Sequence, residues 1–199
     1  MWMHPRRTIR QIVDTDPDRH VLLLAAIAGI GTVLDKASTK STGDHLSLMA
    51  ILLLAVTVGP IGGVISLYIG GALLRWTGGW IGGRADARDI RSAIAWAGVL
   101  AIWAMILWVP ELLLFGKELF TKETPIIDAS TVLTTLFWLF AVIEVILGVW
   151  ATVVFLKCLG EVQGFSAWKA LGNCFLAGLV IIVPILGVVG LIWFIVLWI

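Results

Sequence analysis

Charged residues and cysteines are both scarce in this sequence. Only 14% of the 199 residues are Asp, Glu, Lys or Arg, whereas a soluble domain carries about 25%. The two cysteines, Cys158 and Cys174, are too few and too far apart for a disulfide framework or a zinc site. The sequence contains no HExxH, no GxSxG and no phosphate-loop lysine, so we expect no metal, no cofactor and no enzyme activity. A net charge of +1 also argues against nucleic acid as a partner.

Long apolar runs dominate what remains. Hydrophobic residues make up 60% of the chain, and the mean hydropathy is +1.02. About 20 apolar residues are needed to cross a bilayer. With their flanks, five runs qualify, at residues 21–34, 46–74, 94–115, 129–156 and 174–199. We therefore predict an all-α fold, a polytopic bundle of five transmembrane helices over residues 21–199, preceded by an N-terminal segment of residues 1–20.

The lysines and arginines indicate how the bundle is oriented. Ten of them fall in the N-terminal segment and in the second and fourth loops, whereas four fall on the other side of the membrane. Because cytoplasmic loops carry the excess of positive charge, this distribution puts the N-terminus in the cytoplasm and the C-terminus outside. Tryptophans near the predicted boundaries, such as Trp76, Trp80 and Trp168, suit the aromatic belts at the two interfaces.

The N-terminal segment, "MWMHPRRTIRQIVDTDPDR", is typical of a short amphipathic helix at the membrane surface. Pro5 suits the first turn of a helix. We expect a small apolar face around Ile9 and three arginines that reach lipid phosphates, namely Arg6, Arg7 and Arg10.

Glu144 is the strongest candidate for a functional residue within a span. It lies near the middle of the fourth run, roughly 20 Å from either end at ~1.5 Å per residue. A charged side chain at that depth costs at least ~2.5 kcal/mol, so it should face protein or water. We expect a protonated acid, or a carboxylate that accepts hydrogen bonds from the hydroxyls of Thr57, Ser66 or Tyr68. Its role is either that of a proton or cation site or that of a polar lock between helices.

The second run is rich in small residues. Ala55, Gly59 and Gly63 are spaced four apart, and so are Ser66 and Gly70. Such stripes let a second helix approach closely. Prolines inside the runs also mark discontinuous helices at some transport sites, but for this stretch we favour helix packing over transport.

The stretch "GGWIGGRADARDIRSA" forms the second loop and leads into the third run. Three arginines, Arg84, Arg88 and Arg91, fall on one face of a predicted helix. Asp86 and Asp89 fall on the opposite face. We expect a cationic surface for lipid headgroups or a protein partner. The alternative is a solvated, positive-inside loop without a specific partner.

Three segments of the chain resemble the Yip family, the Ypt/Rab-interacting membrane proteins, in the form found in bacteria. They read "TIRQIVDTDP", "YIGGALLRWTGGWIGGRADARDIRSAIAWAG" and "LKCLGEVQGFSAWKALGN". The resemblance implies a helical membrane domain without known catalysis, located in a bacterial cytoplasmic membrane. Eukaryotic members bind Rab-type GTPases and act in vesicle traffic as hetero-oligomers. The N-terminal segment of about twenty residues here does not favour GTPase binding.

Two functions remain open from the sequence. The first is a non-enzymatic scaffold or adaptor that organises or traffics membrane and binds lipids, a membrane protein or further copies of itself as a homo-oligomer. The second is a small transporter or channel for a proton, ion or lipid that uses Glu144.

Overall fold

The computed structural model describes the backbone of residues 3–198, with the side chains of all of these except residues 191, 192 and 194–198. The described chain is helical and contains no strand. Its helices are α1 (Pro5–Thr15), α2 (Val21–Thr39), α3 (Leu48–Trp80), α4 (Ala87–Ala97), α5 (Val99–Ala104), α6 (Trp108–Phe115), α7 (Pro125–Asp128), α8 (Thr131–Gln163) and α9 (Ala167–Trp198). The predicted end of the fifth span at Ile199 lies outside the described residues.

Five helical stretches are long and apolar enough to cross a membrane, which confirms the predicted bundle. They are Val21–Thr39, Leu48–Trp80, Ala87–Phe120, Thr131–Gln163 and Ala167–Gly190. Most of these stretches extend beyond the apolar runs. The backbone hydrogen bonds of a helix do not require apolar side chains, so a helix can continue into polar sequence. The chain is thus a multi-pass membrane protein.

Loops that are distant in sequence meet at the two ends of the bundle. The backbone N–H of Arg84 donates to the carbonyl of Gln163 over 3.2 Å at one end. At the other, the N–H of Lys122 donates to the Asp44 carboxylate over 3.3 Å. We call the first the N-terminal end, because α1 lies there, and the second the far end.

Helix α1 packs into the N-terminal end of the bundle between α4 and α8. Pro5 occupies its first turn, as the sequence predicts. Ile9 is fully buried, in a cluster with Ala93 of α4 and Cys158 of α8. The apolar face of this segment therefore covers other helices of the same chain.

The arginines of α1 differ in their surroundings. Arg10 contacts Glu161 of α8 with an N–O distance of 3.0 Å, and Arg6 contacts the same carboxylate at 3.6 Å. Arg7 is exposed. The expectation that all three arginines face lipid phosphates is wrong for Arg6 and Arg10, because a carboxylate 151 residues downstream of Arg10 lies within reach.

Helices α2 and α3 cross at very short range. A Cβ atom added to Gly29 of α2 would collide with the carbonyl oxygen of Gly59 and would lie 2.9 Å from the Cα of Gly63. A Cβ atom on Gly63 would collide with the carbonyl oxygen of Ala25. The two backbones are therefore in contact where glycines face each other. Helix α3 continues without interruption through Pro60.

The predicted stripe is only partly used in this crossing. Ala55, Gly59 and Gly63 lie on the face of α3 that meets α2, and Ala55 is 1% exposed. Ser66 is exposed, and a Cβ atom on Gly70 would meet nothing within 4 Å. The interpretation of Ser66 and Gly70 as packing residues is wrong within this chain. They lie on the same side of α3 as the glycines, but Ser66 borders an open hollow and Gly70 lies beyond Leu67, where α2 begins at Val21.

The third span is broken twice. Helix α4 ends at Ala97, Gly98 separates it from α5, and a 3-10 turn at Met105–Leu107 precedes α6. A short 3-10 segment, Gly116–Phe120, then closes the span. At the far end, the start of α6 packs in a cluster with residues of α2 and α8, and Trp108 stacks on Phe120 with ring centroids 5.6 Å apart.

At the N-terminal end of the bundle, buried amides tie the end of α8 and the beginning of α9 to α3. Gln163 and Asn173 both donate to the carbonyl oxygen of Leu74, over 3.1 and 3.0 Å. The hydroxyl of Thr77 lies 2.6 Å from the Asn173 carboxamide oxygen. All three side chains are buried. Because buried polar groups need partners, this network fixes α3, α8 and α9 relative to one another.

Candidate functional site

Three helices bring a carboxylate each to one crevice near the far end. Asp35 comes from α2, Glu111 from α6 and Glu144 from α8. Each lies on a stripe of residues three or four apart, so one face of each helix lines the crevice. We call this group of Asp35, Glu111 and Glu144 the acidic crevice.

Glu111 is the innermost acid. It is 4% exposed and has no hydrogen bond or ion pair with any described residue, yet it lines the crevice. Asp35 and Glu144 are exposed at the mouth. The oxygens of Glu111 are not among the fully enclosed polar atoms without a partner, so they open on the crevice, where a positive charge or a hydrogen-bond donor can reach them.

The acidic crevice joins two open hollows of different character. The first, about 190 Å³, is lined by all three acids, by the hydroxyls of Ser38 and Thr39, and by aromatic rings. The second, about 260 Å³, shares Asp35, Trp108 and Glu144 with the first. Small and apolar residues line its remainder, among them Ala28, Gly31, Ala101, Ala104, Leu147, Gly148 and Ala151. A polar chamber therefore opens into an apolar groove that runs toward the N-terminal end.

Glu144 lies deeper along its helix than the other two acids do. Asp35 is four residues, or ~6 Å, from the end of α2, and Glu111 is four residues from the end of α6. Helix α8 has 33 residues, so it is ~50 Å long and exceeds the ~30 Å hydrocarbon core. Glu144 is 13 residues, or ~20 Å, from the start of α8, so of the three acids it lies farthest from an end of its helix.

The hydroxyls expected beside Glu144 lie elsewhere. The Thr57 hydroxyl donates to the carbonyl of Leu53 over 2.7 Å within α3. The Tyr68 ring lies under the guanidinium of Arg91, 4.8 Å from its centroid. Ser66 lines a separate hollow of about 260 Å³ between α2, α3 and α4. The prediction that these residues bond Glu144 is wrong, because α2 stands between α3 and the acidic crevice.

Sequence reasoning missed Asp35 and Glu111. Glu111 lies within the predicted third run. It could have been found from the sequence, because an acidic residue inside a membrane span is a candidate functional residue. Asp35 falls one residue beyond the predicted first run, in a helix that extends to Thr39. Their approach to Glu144 depends on how three helices pack, which no local spacing shows.

The predicted cationic surface is not a single helical face. Arg84 lies in the loop before α4, because the helix begins only at Ala87 and Asp86 precedes its first residue. Arg88 lies 3.9 Å from the Asp18 carboxylate and is 70% exposed at its side chain. Arg91 is partly buried over Tyr68.

Asp89, in the first turn of α4, is also partly buried. The structure thus leaves Arg84 and Arg88 exposed and holds Arg91 against the protein.

The glycines of the second loop accommodate a buried amide. A Cβ atom on Gly78 or on Gly83 would collide with the Gln163 carboxamide. Gly82 has a φ of +84°, which favours glycine in the turn. Packing against α8 therefore accounts for two of the glycines that resemble a phosphate-binding loop, and the turn accounts for Gly82.

Metal binding by three ligands is not supported by the described part of the chain. No three side chains of His, Cys, Asp or Glu within it are close enough to hold a metal ion.

One comparison identifies the family of this chain. The model of the Yip1 domain matches residues 1–188, which include α1, the first four spans and the fifth span as far as residue 188. The chain has no match among the curated proteins or the solved structures. Yip1-domain proteins are membrane proteins and are generally non-enzymatic. With five membrane-spanning helices and a family model that covers most of its length, the chain belongs to the Yip1-domain family.

Proposed function

We propose that this protein acts by binding rather than by catalysis, as a scaffold or adaptor that associates with a second copy of itself in the membrane. The observation that carries the proposal is the exposure of α9. Residues 181–190 of this helix are all exposed, and Cβ atoms on Gly187 or Gly190 would meet nothing within 4 Å. A membrane helix with accessible glycines permits close approach by another helix.

The rest of the fold suits such a role. Asn173 and the buried amides around it anchor the beginning of α9, so its exposed half projects from a fixed base. A rigid base lowers the entropy lost when two helices associate. The lysine and arginine count favours a cytoplasmic N-terminus in a bacterial cytoplasmic membrane.

Energy transfer between labelled copies tests this proposal. Donor-labelled and acceptor-labelled chains are mixed in vesicles, and transfer is followed as lipid is added. We expect transfer above the level for randomly placed chains. Replacing Gly187 and Gly190 by Leu should lower it, while Gly70→Leu on α3, where a Cβ also meets nothing, should leave it unchanged. Transfer at the random level for the unaltered chain would contradict the proposal.

Exposed residues at the N-terminal end support lipid binding as part of this role. Trp168 is 83% exposed, and Trp76 and Trp80 exceed half exposure. Arg84 and Arg88 lie exposed at the same end. Indole rings and guanidinium groups together suit an interface with anionic headgroups.

A second candidate function is a small transporter or channel for a proton, ion or lipid that uses Glu144. The observation in its favour is that Glu144 meets two further carboxylates in an open crevice. Flux into liposomes under a pH or ion gradient, with and without Glu144→Gln, is the test. Flux no greater than in empty vesicles would remove this candidate.

A further inference from the structure

We infer that the acidic crevice binds the ammonium head of an amphiphile, such as an aminophospholipid, with an acyl chain in the adjoining apolar groove. The inference rests on the crevice alone. It needs neither self-association nor transport.

The polar chamber has the groups that an ammonium ion requires. Glu111 is buried, lacks a hydrogen-bond or ion-pair partner among the described residues, and lines the chamber. Asp35 and Glu144 stand at its mouth. Three carboxylates around one space attract a cation through charge-assisted hydrogen bonds. No lysine, arginine or histidine lines either hollow.

Aromatic rings complete this chamber. Trp108, Phe137 and Phe140 form part of its wall. An alkylammonium group is attracted to the faces of such rings as well as to carboxylates, and aromatic walls are a known means of binding amines. A small metal ion gains nothing comparable from them, and the described acids are not grouped for three-ligand metal coordination.

The adjoining groove indicates an amphiphile rather than a free amine. Its lining of small residues leaves about 260 Å³ of space, and it begins at the acids and runs along α2, α5 and α8. On α8 the wall passes from Glu144 through Gly148 to Ala151, toward the membrane interior. The hollows are open, so a ligand can enter sideways from the bilayer.

The depth of the site agrees with this ligand. Asp35 and Glu111 are each about one helical turn from the far ends of their helices. A spanning helix ends where the hydrocarbon core gives way to the headgroups, so these two acids lie within about one turn of the headgroup level, while Glu144, 13 residues into α8, lies deeper. With its ammonium head bound at the acids, the lipid would therefore keep its acyl chain within the hydrocarbon core, as in the bilayer.

Lipid retention by the full-length protein tests the inference. Protein in neutral detergent micelles is equilibrated with dioleoyl phosphatidylethanolamine or dioleoyl phosphatidylglycerol, and the bound lipid is counted by native mass spectrometry. We expect the amine lipid to be retained at least ~10-fold more tightly. Glu111→Gln and Asp35→Asn should each abolish most of this preference, since each removes a charge of the chamber.

Two further variants separate the site from the fold. Glu123→Gln removes an exposed carboxylate at the same end that lines neither hollow, and it should retain the preference. Ala151→Leu fills the groove without touching an acid, and it should weaken retention of the amine lipid. Asp35 is exposed, so Asp35→Asn keeps the test valid even if Glu111→Gln disturbs the core.

Three outcomes would overturn the inference. The first is equal retention of the two lipids by the unaltered protein. The second is an unchanged preference in both acid variants. The third is displacement of the lipid by free ethanolamine at equal concentration, which would show that the groove contributes nothing to binding.

Discussion

The crossing of α2 and α3 can be tested by adding a single methyl group at Gly29. A Cβ there would lie 2.9 Å from the Cα of Gly63 and closer still to the Gly59 carbonyl oxygen. Carbon atoms pack best at ~3.5–4.0 Å, so the two backbones must separate by about 1 Å. Backbone cannot yield by changing a rotamer, and overpacking of this kind costs ~1–3 kcal/mol.

Gly62→Ala on α3 is the matched control for this change. A Cβ atom at Gly62 meets nothing within 4 Å, so the variant keeps only the gain of about 0.5–1 kcal/mol that Ala brings to a helix. The free energy of unfolding is measured for both variants in mixed micelles. We expect Gly29→Ala to unfold more readily than Gly62→Ala by ~1–3 kcal/mol, because the gain in helix propensity is common to both variants and cancels in the difference. Equal stability of the two variants would refute the crossing.

Three other predictions concern the N-terminal end. Ile9→Ala should weaken the packing of α1 on the bundle by about 2–4 kcal/mol. Hydrogen exchange over residues 5–15 should then accelerate, without a change in the spans. Unaltered exchange would mean that Ile9 does not hold α1 in place. Gln163→Leu leaves the Leu74 carbonyl with one donor fewer and crowds the second loop. We expect the free energy of unfolding to fall by ~1–3 kcal/mol. A variant more stable than the unaltered protein would contradict the role of this amide. Replacing Arg84 and Arg88 by Ala should reduce the number of anionic lipids that copurify with the protein. Lys117→Ala at the far end should not reduce it. An equal reduction in both variants would argue against a lipid-binding surface at the N-terminal end.

Much of the fold follows from local pattern. The five spans could be predicted because each needs only length and hydropathy, and the start of α1 because Pro5 favours a first turn. The boundaries were less accurate. Helices α3 and α8 extend to Trp80 and Gln163, since their polar ends are paired with other parts of the chain.

The site depends on contacts between distant segments. Asp35, Glu111 and Glu144 lie on three different helices, so only the packing of those helices brings them together. The glycines of the second loop resemble a ligand site in sequence, yet their neighbour is Gln163, about 80 residues away. Arg10 likewise finds its partner Glu161 only in the folded bundle.

Counting subunits in a membrane tests the central claim most directly. One fluorophore per chain is attached, the protein is reconstituted into vesicles at high dilution, and bleaching steps are counted in each vesicle. A scaffold that self-associates through α9 predicts two or more steps in more vesicles than random occupancy allows. Single steps at the frequency expected for independent chains would contradict it.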